Sequence, residues 1–181
     1  MRILLDVDYC IAPLHDEWLQ RYNRDYSDNL IHSQIIEWDM TKFVKPECGK
    51  NIYKYLNDPD LYDNMNPVDG SKEAVSLLYA YGYDVRFVTS GVHKGKIDFL
   101  YRHKFIDSES DYVIASDKSL IIGDVLVDDY GMNLKTFKGV GILFDAPHNR
   151  SSNYGIRVYN WEEVVNTVLI TEARIKSRPY G

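Results

Sequence analysis

A chain of 181 residues, 45% hydrophobic and 27% charged, has the composition of one globular domain with room for a modest insertion, and it needs no disulfide or metal staple to fold. Its 27 acidic residues against 21 Lys and Arg give a formal net charge of -6 with no basic run, which argues against polymeric nucleic acid as a partner. A small anion stays open, because local donors and a bound cation outweigh a diffuse charge at close range.

Asp6 follows the first residues too closely for the apolar region of a secretory leader, and no apolar stretch approaches the ~20 residues of a bilayer crossing. Cys10 and Cys48 form no paired motif. The expectation is a cytoplasmic protein with reduced thiols and no membrane association.

In chain order, the opening run Ile3-Leu4-Leu5 is continuously apolar and ends in Asp6-Val7-Asp8, the pattern of a strand buried on both faces of a parallel sheet. Residues 14–66 break the strand rhythm. Trp18, Leu19 and Tyr22 stand at helical spacing, followed by Ile31, Ile35, Ile36 and Trp38, then Ile52, Tyr53 and Leu56. An excursion this long exceeds an ordinary crossover, so 14–66 is expected to be a helical cap inserted over the carboxyl end of the first strand, with 1–13 and 67–181 forming the core domain.

The segment 71–81 predicts a helix that stops at Gly82, and 85–88 predicts a second strand. A helix over 96–102, with Ile97, Leu100 and Tyr101 on its apolar face, comes next. Strands are expected at 112–115, 125–127 and 141–144, then a helix capped by Asn160 with Glu163 three residues on. Strands alternating with helices predict an α/β fold built on a parallel sheet.

Four short elements carry chemistry. Asp6 and Asp8, one residue apart at a strand end, repel unless something positive sits between them, and a magnesium ion takes oxygen ligands while leaving room for phosphate. Thr89-Ser90-Gly91 offers a hydroxyl and backbone N–H groups where a strand gives way to a helix. Lys118 lies in a polar loop, and Asp128-Asp129 closes the strand 125–127. Each alone is ambiguous: DxD pairs fill surface turns, Thr89 suits a helix cap, and a loop lysine is ordinarily solvated. Together they put acids, hydroxyl, lysine and acids in chain order, three of the four after apolar strands, where sites form in open α/β sheets.

In that order the elements resemble the four motifs of the haloacid dehalogenase-like superfamily. The stretches Asn66-Pro67-Val68-Asp69-Gly70, Val88-Thr89-Ser90 and Leu126-Val127-Asp128-Asp129 look like its 5′(3′)-deoxyribonucleotidases. Trp18-Leu19 with Tyr22-Asn23, Trp38-Asp39 and the run from Leu143 to Asn149 look like bacterial and phage members.

The resemblance implies a Rossmann-like core with a small helical cap, and magnesium-dependent hydrolysis of deoxyribonucleoside monophosphates through an aspartyl-phosphate. It implies Asp6 as nucleophile and Asp8 as the acid that protonates the leaving sugar oxygen and then activates water. Thr89 and Ser90 would hold phosphate oxygens, with Lys118 balancing charge. Asp6, Asp8 (through its backbone carbonyl) and Asp129, with Asp128 beside it, would hold the metal.

Tyr9 departs from the pattern, since the family usually has Gly there, and Cys10 stands where Thr or Val is usual. Tyr9, Trp18, Tyr22 and Trp38 are the candidates for stacking on a base; core packing is the competing reading for at least two of them. A homodimer is compatible with the sequence but not required by it. The rival functions are a phosphatase for another small phosphoester, a phospho-accepting signalling domain, and a catalytically silent phosphate-binding module.

Overall fold

The computed structural model describes residues 1–91 and 94–177. Six strands, β1 (Arg2–Leu5), β2 (Asp84–Thr89), β3 (Tyr112–Ile114), β4 (Val125–Asp128), β5 (Val140–Phe144) and β6 (Ile156–Val158), form one sheet in the order β3-β2-β1-β4-β5-β6. Every pair is parallel. Side chains alternate across a strand, so Ile3, Leu5, Val125, Val127, Ile142 and Phe144 enter one buried cluster, while Leu4, Leu126 and Leu143 enter another on the opposite face. That two-sided burial explains the unbroken apolar runs in the sequence.

The first face is covered by α2 (Ser71–Ala80), α3 (Lys94–Arg102) and α5 (Trp161–Lys176), through Ala74, Val75, Leu78, Phe99, Leu100, Val164 and Val168. The short α4 (Gly131–Thr136) covers the other face with Leu134. Gly82, with φ +79, takes the left-handed conformation that ends α2, as expected. Asn160 accepts a hydrogen bond from the Glu163 N–H at 2.9 Å, which caps α5.

The sequence predicts five strands; β6 and α4 are additional. At three and six residues they are too short for periodicity to register. The apolar face expected for α3 is also displaced. Gly95, Lys96, Phe99 and Leu100 are its buried residues, while Ile97 is half-buried and Tyr101 is exposed.

Between β1 and α2 the chain forms α1 (Leu14–Tyr26) and then mostly 3₁₀ turns, at His32–Gln34, Met40–Lys42 and Gly49–Asn57. The helical expectation for the later part of this stretch is therefore only met as 3₁₀ structure. Trp18, Leu19, Tyr22, Ile35, Met40 and Ile52 bury one another in a cluster separate from the sheet's. No helix among the described residues is long and apolar enough to cross a membrane.

β1 leads to β2 and β3 on one side, and the chain then returns to place β4 on the other side of β1. This reversal opens a crevice at the carboxyl ends of β1 and β4, where open α/β sheets build their sites.

Candidate active site

The crevice holds the four acids and the lysine singled out by sequence, Asp6, Asp8, Asp128, Asp129 and Lys118. Asp6 extends the ladder, its N–H donating to the Val127 carbonyl at 2.9 Å. The chain then turns sharply: the Tyr9 N–H donates to the Ala12 carbonyl at 2.7 Å, and Ile11 and Ala12 both donate to the Val7 carbonyl at 2.9 Å. Tyr9 has φ 69, a left-handed conformation that favours glycine. The turn thus keeps the shape glycine would allow, with a bulky residue in it. The Asp8 carbonyl accepts from the Cys10 N–H at 2.8 Å and retains a second lone pair.

Lys118 is not solvated. It is 2% exposed, and its Nζ donates to Asp6 Oδ1 at 2.5 Å and to Asp128 Oδ2 at 2.7 Å. Asp117 shapes the turn that delivers it by accepting from the Ser119 N–H at 2.9 Å. Asp128 also accepts from the Tyr130 N–H at 2.8 Å and from Asn133 Nδ2 at 2.9 Å, so both its oxygens are engaged by protein donors.

Asp129 points elsewhere. Its Oδ2 lies 2.9 Å from His148 Nε2, and Asp6, Cys10 and Asp129 each offer a ligand atom within 4.8 Å of the others. The carboxylates of Asp6 and Asp129 are thus within joint reach of one cation, whereas the oxygens of Asp128 are committed to Lys118 and its own loop.

Charge in this space is unbalanced. Burial pushes the Asp6 carboxyl up to about 7; Lys118 opposes the rise, and Asp128 and Asp8 add to it. Burial also raises Asp128 against the pull of Lys118, and burial together with Asp6 holds Asp129 well above the usual carboxylate range. For Lys118, burial works against the charge, but Asp6 and Asp128 outweigh it and lift the ammonium above its ordinary value. One lysine does not neutralise three buried acids, and a divalent cation between Asp6 and Asp129 would supply the missing charge.

Two site residues are absent from the sequence reading. Lys96, 4% exposed, donates to Asp8 Oδ2 at 2.7 Å, to the Thr89 hydroxyl at 2.9 Å and to the Ser90 carbonyl at 3.0 Å. The available signal is its place three and four residues before Phe99 and Leu100, a lysine on an apolar helix face just beyond a phosphate-type turn. Tyr62 donates its hydroxyl to Asp8 Oδ1 at 2.7 Å. No pattern marks it among 15 tyrosines.

A cavity of about 560 Å³ opens over these groups. Ser90 lines it, but Thr89 is buried behind Lys96 with its hydroxyl facing that ammonium. Tyr9 and Trp18 are in the wall, with the Trp18 indole donating to the Ile52 carbonyl at 2.7 Å. Trp38 is different: 52% exposed, it lies 4.5 Å from the Tyr130 ring centre at the cavity mouth. Tyr22 does not line the cavity. It is fully buried, donating to Asp28 Oδ2 at 2.5 Å and accepting from the Lys45 N–H at 2.8 Å, and is corrected to a packing residue.

Paired acids, two buried lysines and a roomy cavity at parallel strand ends can bind a phosphate ester and support in-line displacement. Known proteins resemble the chain in sequence and in fold. A 5′(3′)-deoxyribonucleotidase of Clostridium acetobutylicum is 35% identical over 162 residues, 88% of this chain and 89% of the relative. A HAD family hydrolase of Deinococcus radiodurans, solved with phosphate and sodium, superposes with a TM-score of 0.62 at 11% identity, covering 94% of this chain and 96% of that one. A HAD hydrolase of Bacillus subtilis bound to magnesium gives 0.61 at 12% identity, over 93% and 98% of the two chains. These structures share the haloacid dehalogenase-like fold with this chain. The family described as 5′ nucleotidase, deoxy (pyrimidine), cytosolic type C protein matches residues 1–175, and the chain belongs to it.

Proposed function

We propose that this protein is a magnesium-dependent phosphatase that hydrolyses deoxyribonucleoside monophosphates through a phosphorylated Asp6. The observation that carries this reading is the buried chain Asp6–Lys118–Asp128, with Lys118 2.5 Å from Asp6 and Asp129 in reach of the same cation. The deoxyribonucleotidase relative supports the substrate class.

Asp6, Asp129 and the free lone pair of the Asp8 carbonyl would hold magnesium, which when bound supplies positive charge beside the phosphate oxygens and the nucleophile. Lys118 fixes one oxygen of Asp6 and neutralises its repulsion for a phosphate dianion. An Asp6 oxygen then attacks phosphorus, the bond from phosphorus to the sugar oxygen breaks, and Asp8 gives its proton to that oxygen. Water next attacks the phosphorus and loses a proton to Asp8. The bond to Asp6 breaks, which releases phosphate and restores the carboxylate.

Lys96 can only donate, and its contact with Oδ2 fixes the orientation of the Asp8 carboxyl. The Tyr62 hydroxyl can donate or accept, and so can serve both protonation states of Asp8. Asp128 acts by orienting Lys118. Ser90 and Lys96, which line the cavity with Asp6 and Asp8, would bind phosphate oxygens, with Thr89 positioning Lys96.

In the same reading, residues 14–66 act as a cap whose Trp18, Trp38, Tyr53 and Leu56 line the cavity, and Trp38 with Tyr130 offers aromatic faces to the base. Free, buried Cys10 and Cys48 fit a reducing cytoplasm. A phosphate-release screen over deoxy- and ribonucleoside 5′- and 3′-monophosphates and sugar phosphates, with and without magnesium, tests the reading. Turnover of deoxynucleotides that stops without magnesium is expected. Turnover confined to sugar phosphates would overturn the substrate class.

A further inference from the structure

Beside the acidic centre lies a second group of donors of different chemistry. His15 lies in the first turn of α1, His32 begins the 3₁₀ turn that bears it, and His148 lies in the turn Pro147–Asn149 that follows β5. One ring nitrogen from each lies within 4.8 Å of those of the other two. The ring centres are 4.7 Å apart for His15 and His32, and 5.3 Å apart for His15 and His148.

His15 Nδ1, His32 Nε2 and His148 Nδ1 are buried, and among the described residues none has a hydrogen-bond partner. His15 and His148 are only 8% and 7% exposed. Three buried nitrogens left without partners in one place are costly unless a ligand takes their lone pairs.

We propose that His15, His32 and His148 form a second metal site, for a transition ion of the zinc class, which fastens residues 14–66 to the strand-end loops. Imidazole nitrogen favours zinc, cobalt or nickel over magnesium, so the site differs in preference from the carboxylate centre.

The tautomer of His148 fits. In the magnesium-loaded protein Asp129 is ionised and can only accept, so His148 Nε2 carries the proton and Nδ1 is left as the lone-pair donor. A carboxylate behind a histidine in this way is the usual support for a metal-bound imidazole. The Tyr9 hydroxyl stands 3.4 Å from His32 Nδ1, which leaves Nε2 of that ring for the metal.

The Tyr9 ring meets all three imidazoles, edge-on, with centres 5.5, 4.8 and 5.4 Å away. That gives a tyrosine a use at a backbone position where glycine would be easier. Nitrogens around tetrahedral zinc stand about 3.3 Å apart, so loading would draw the rings together by roughly an ångström.

The test is zinc titration of the magnesium-saturated protein against a chromophoric chelator, with thermal unfolding in parallel. Wild type should take one equivalent of zinc that excess magnesium does not displace, and its Tm should rise. His32→Gln, which leaves the acidic centre untouched, should bind zinc roughly tenfold or more weakly and lose the Tm increase. If that variant does not fold, cobalt added to wild type decides. Visible bands of tetrahedral nitrogen coordination without a thiolate charge-transfer band support the site. Zinc displaced by magnesium, equal binding by folded His32→Gln, or cobalt without such bands would overturn it. Phosphate release is not a readout here, so the result is independent of the proposed hydrolase reaction.

Discussion

Lys96 Nζ lies 2.7 Å from Asp8 Oδ2, while the Tyr62 hydroxyl lies 2.7 Å from the other oxygen of the same carboxylate. Asp8 is therefore held from both sides, by an ammonium that can only donate and a hydroxyl that can do either. The proposed acid and base steps both pass through this carboxylate, so its two partners should have separable effects.

Lys96→Met removes the fixed donor and leaves Thr89 without its partner. The expected result is a fall in kcat of about 10²-fold or more, from lost positioning of Asp8 and lost charge near the phosphate. Steady-state kinetics on a deoxynucleotide check this, and a kcat within twofold of wild type would show that the contact is only structural.

Tyr62→Phe keeps the ring packing and loses one hydrogen bond. A fall in kcat of about tenfold with little change in KM is expected, since the hydroxyl supports proton transfer rather than binding. An equal rise in KM with kcat unchanged would instead make Tyr62 a binding residue.

Asp128 and Asp129 are adjacent but face different partners, and conservative variants should separate them. Asp129→Asn is expected to abolish the rise in Tm that magnesium causes. Asp128→Asn should keep that rise but lower the metal-free Tm, because Lys118 loses one of its two buried carboxylates; breaking such a pair costs about 3–5 kcal/mol. Thermal unfolding with and without magnesium distinguishes them, and reversed outcomes would exchange the two roles.

The pH dependence follows from Asp6. Its folded, metal-free carboxyl is raised from 3.8 to about 7, so between those values the folded state binds more protons than the unfolded chain. This group therefore makes the metal-free protein less stable as pH rises from about 4 to about 7. Magnesium must displace this proton and any held by Asp129, whose carboxyl is raised in the same way, so its affinity should increase by about tenfold or more per pH unit up to about pH 7. Calorimetric titration across that range tests the sign; affinity independent of pH would contradict it.

The sheet was legible in the sequence because β1 and β4 are buried on both faces and so read as unbroken apolar runs ending in Asp6 and Asp128. Asp6 and Asp129 converge as their positions after those strands suggest, and Lys118 joins them from a loop. What stayed hidden depends on tertiary contact. Lys96 is read as surface unless α3 is rotated to bury Gly95 and Phe99, and Tyr62 reaches Asp8 from 54 positions away. The three histidines lie in α1 and two 3₁₀ turns, at no ligand spacing a sequence would reveal. Among the aromatic candidates, only packing distinguishes exposed Trp38 from fully buried Tyr22.

The most direct test of the proposed mechanism is rapid quenching of the magnesium-loaded enzyme with a phosphate-labelled deoxyribonucleoside 5′-monophosphate, followed by mapping of the labelled peptide. That mechanism predicts hydroxylamine-sensitive label on Asp6 in wild type, and none in a folded, inactive Asp6→Asn. Label on another residue, or more than a few percent of normal turnover in Asp6→Asn, would contradict it.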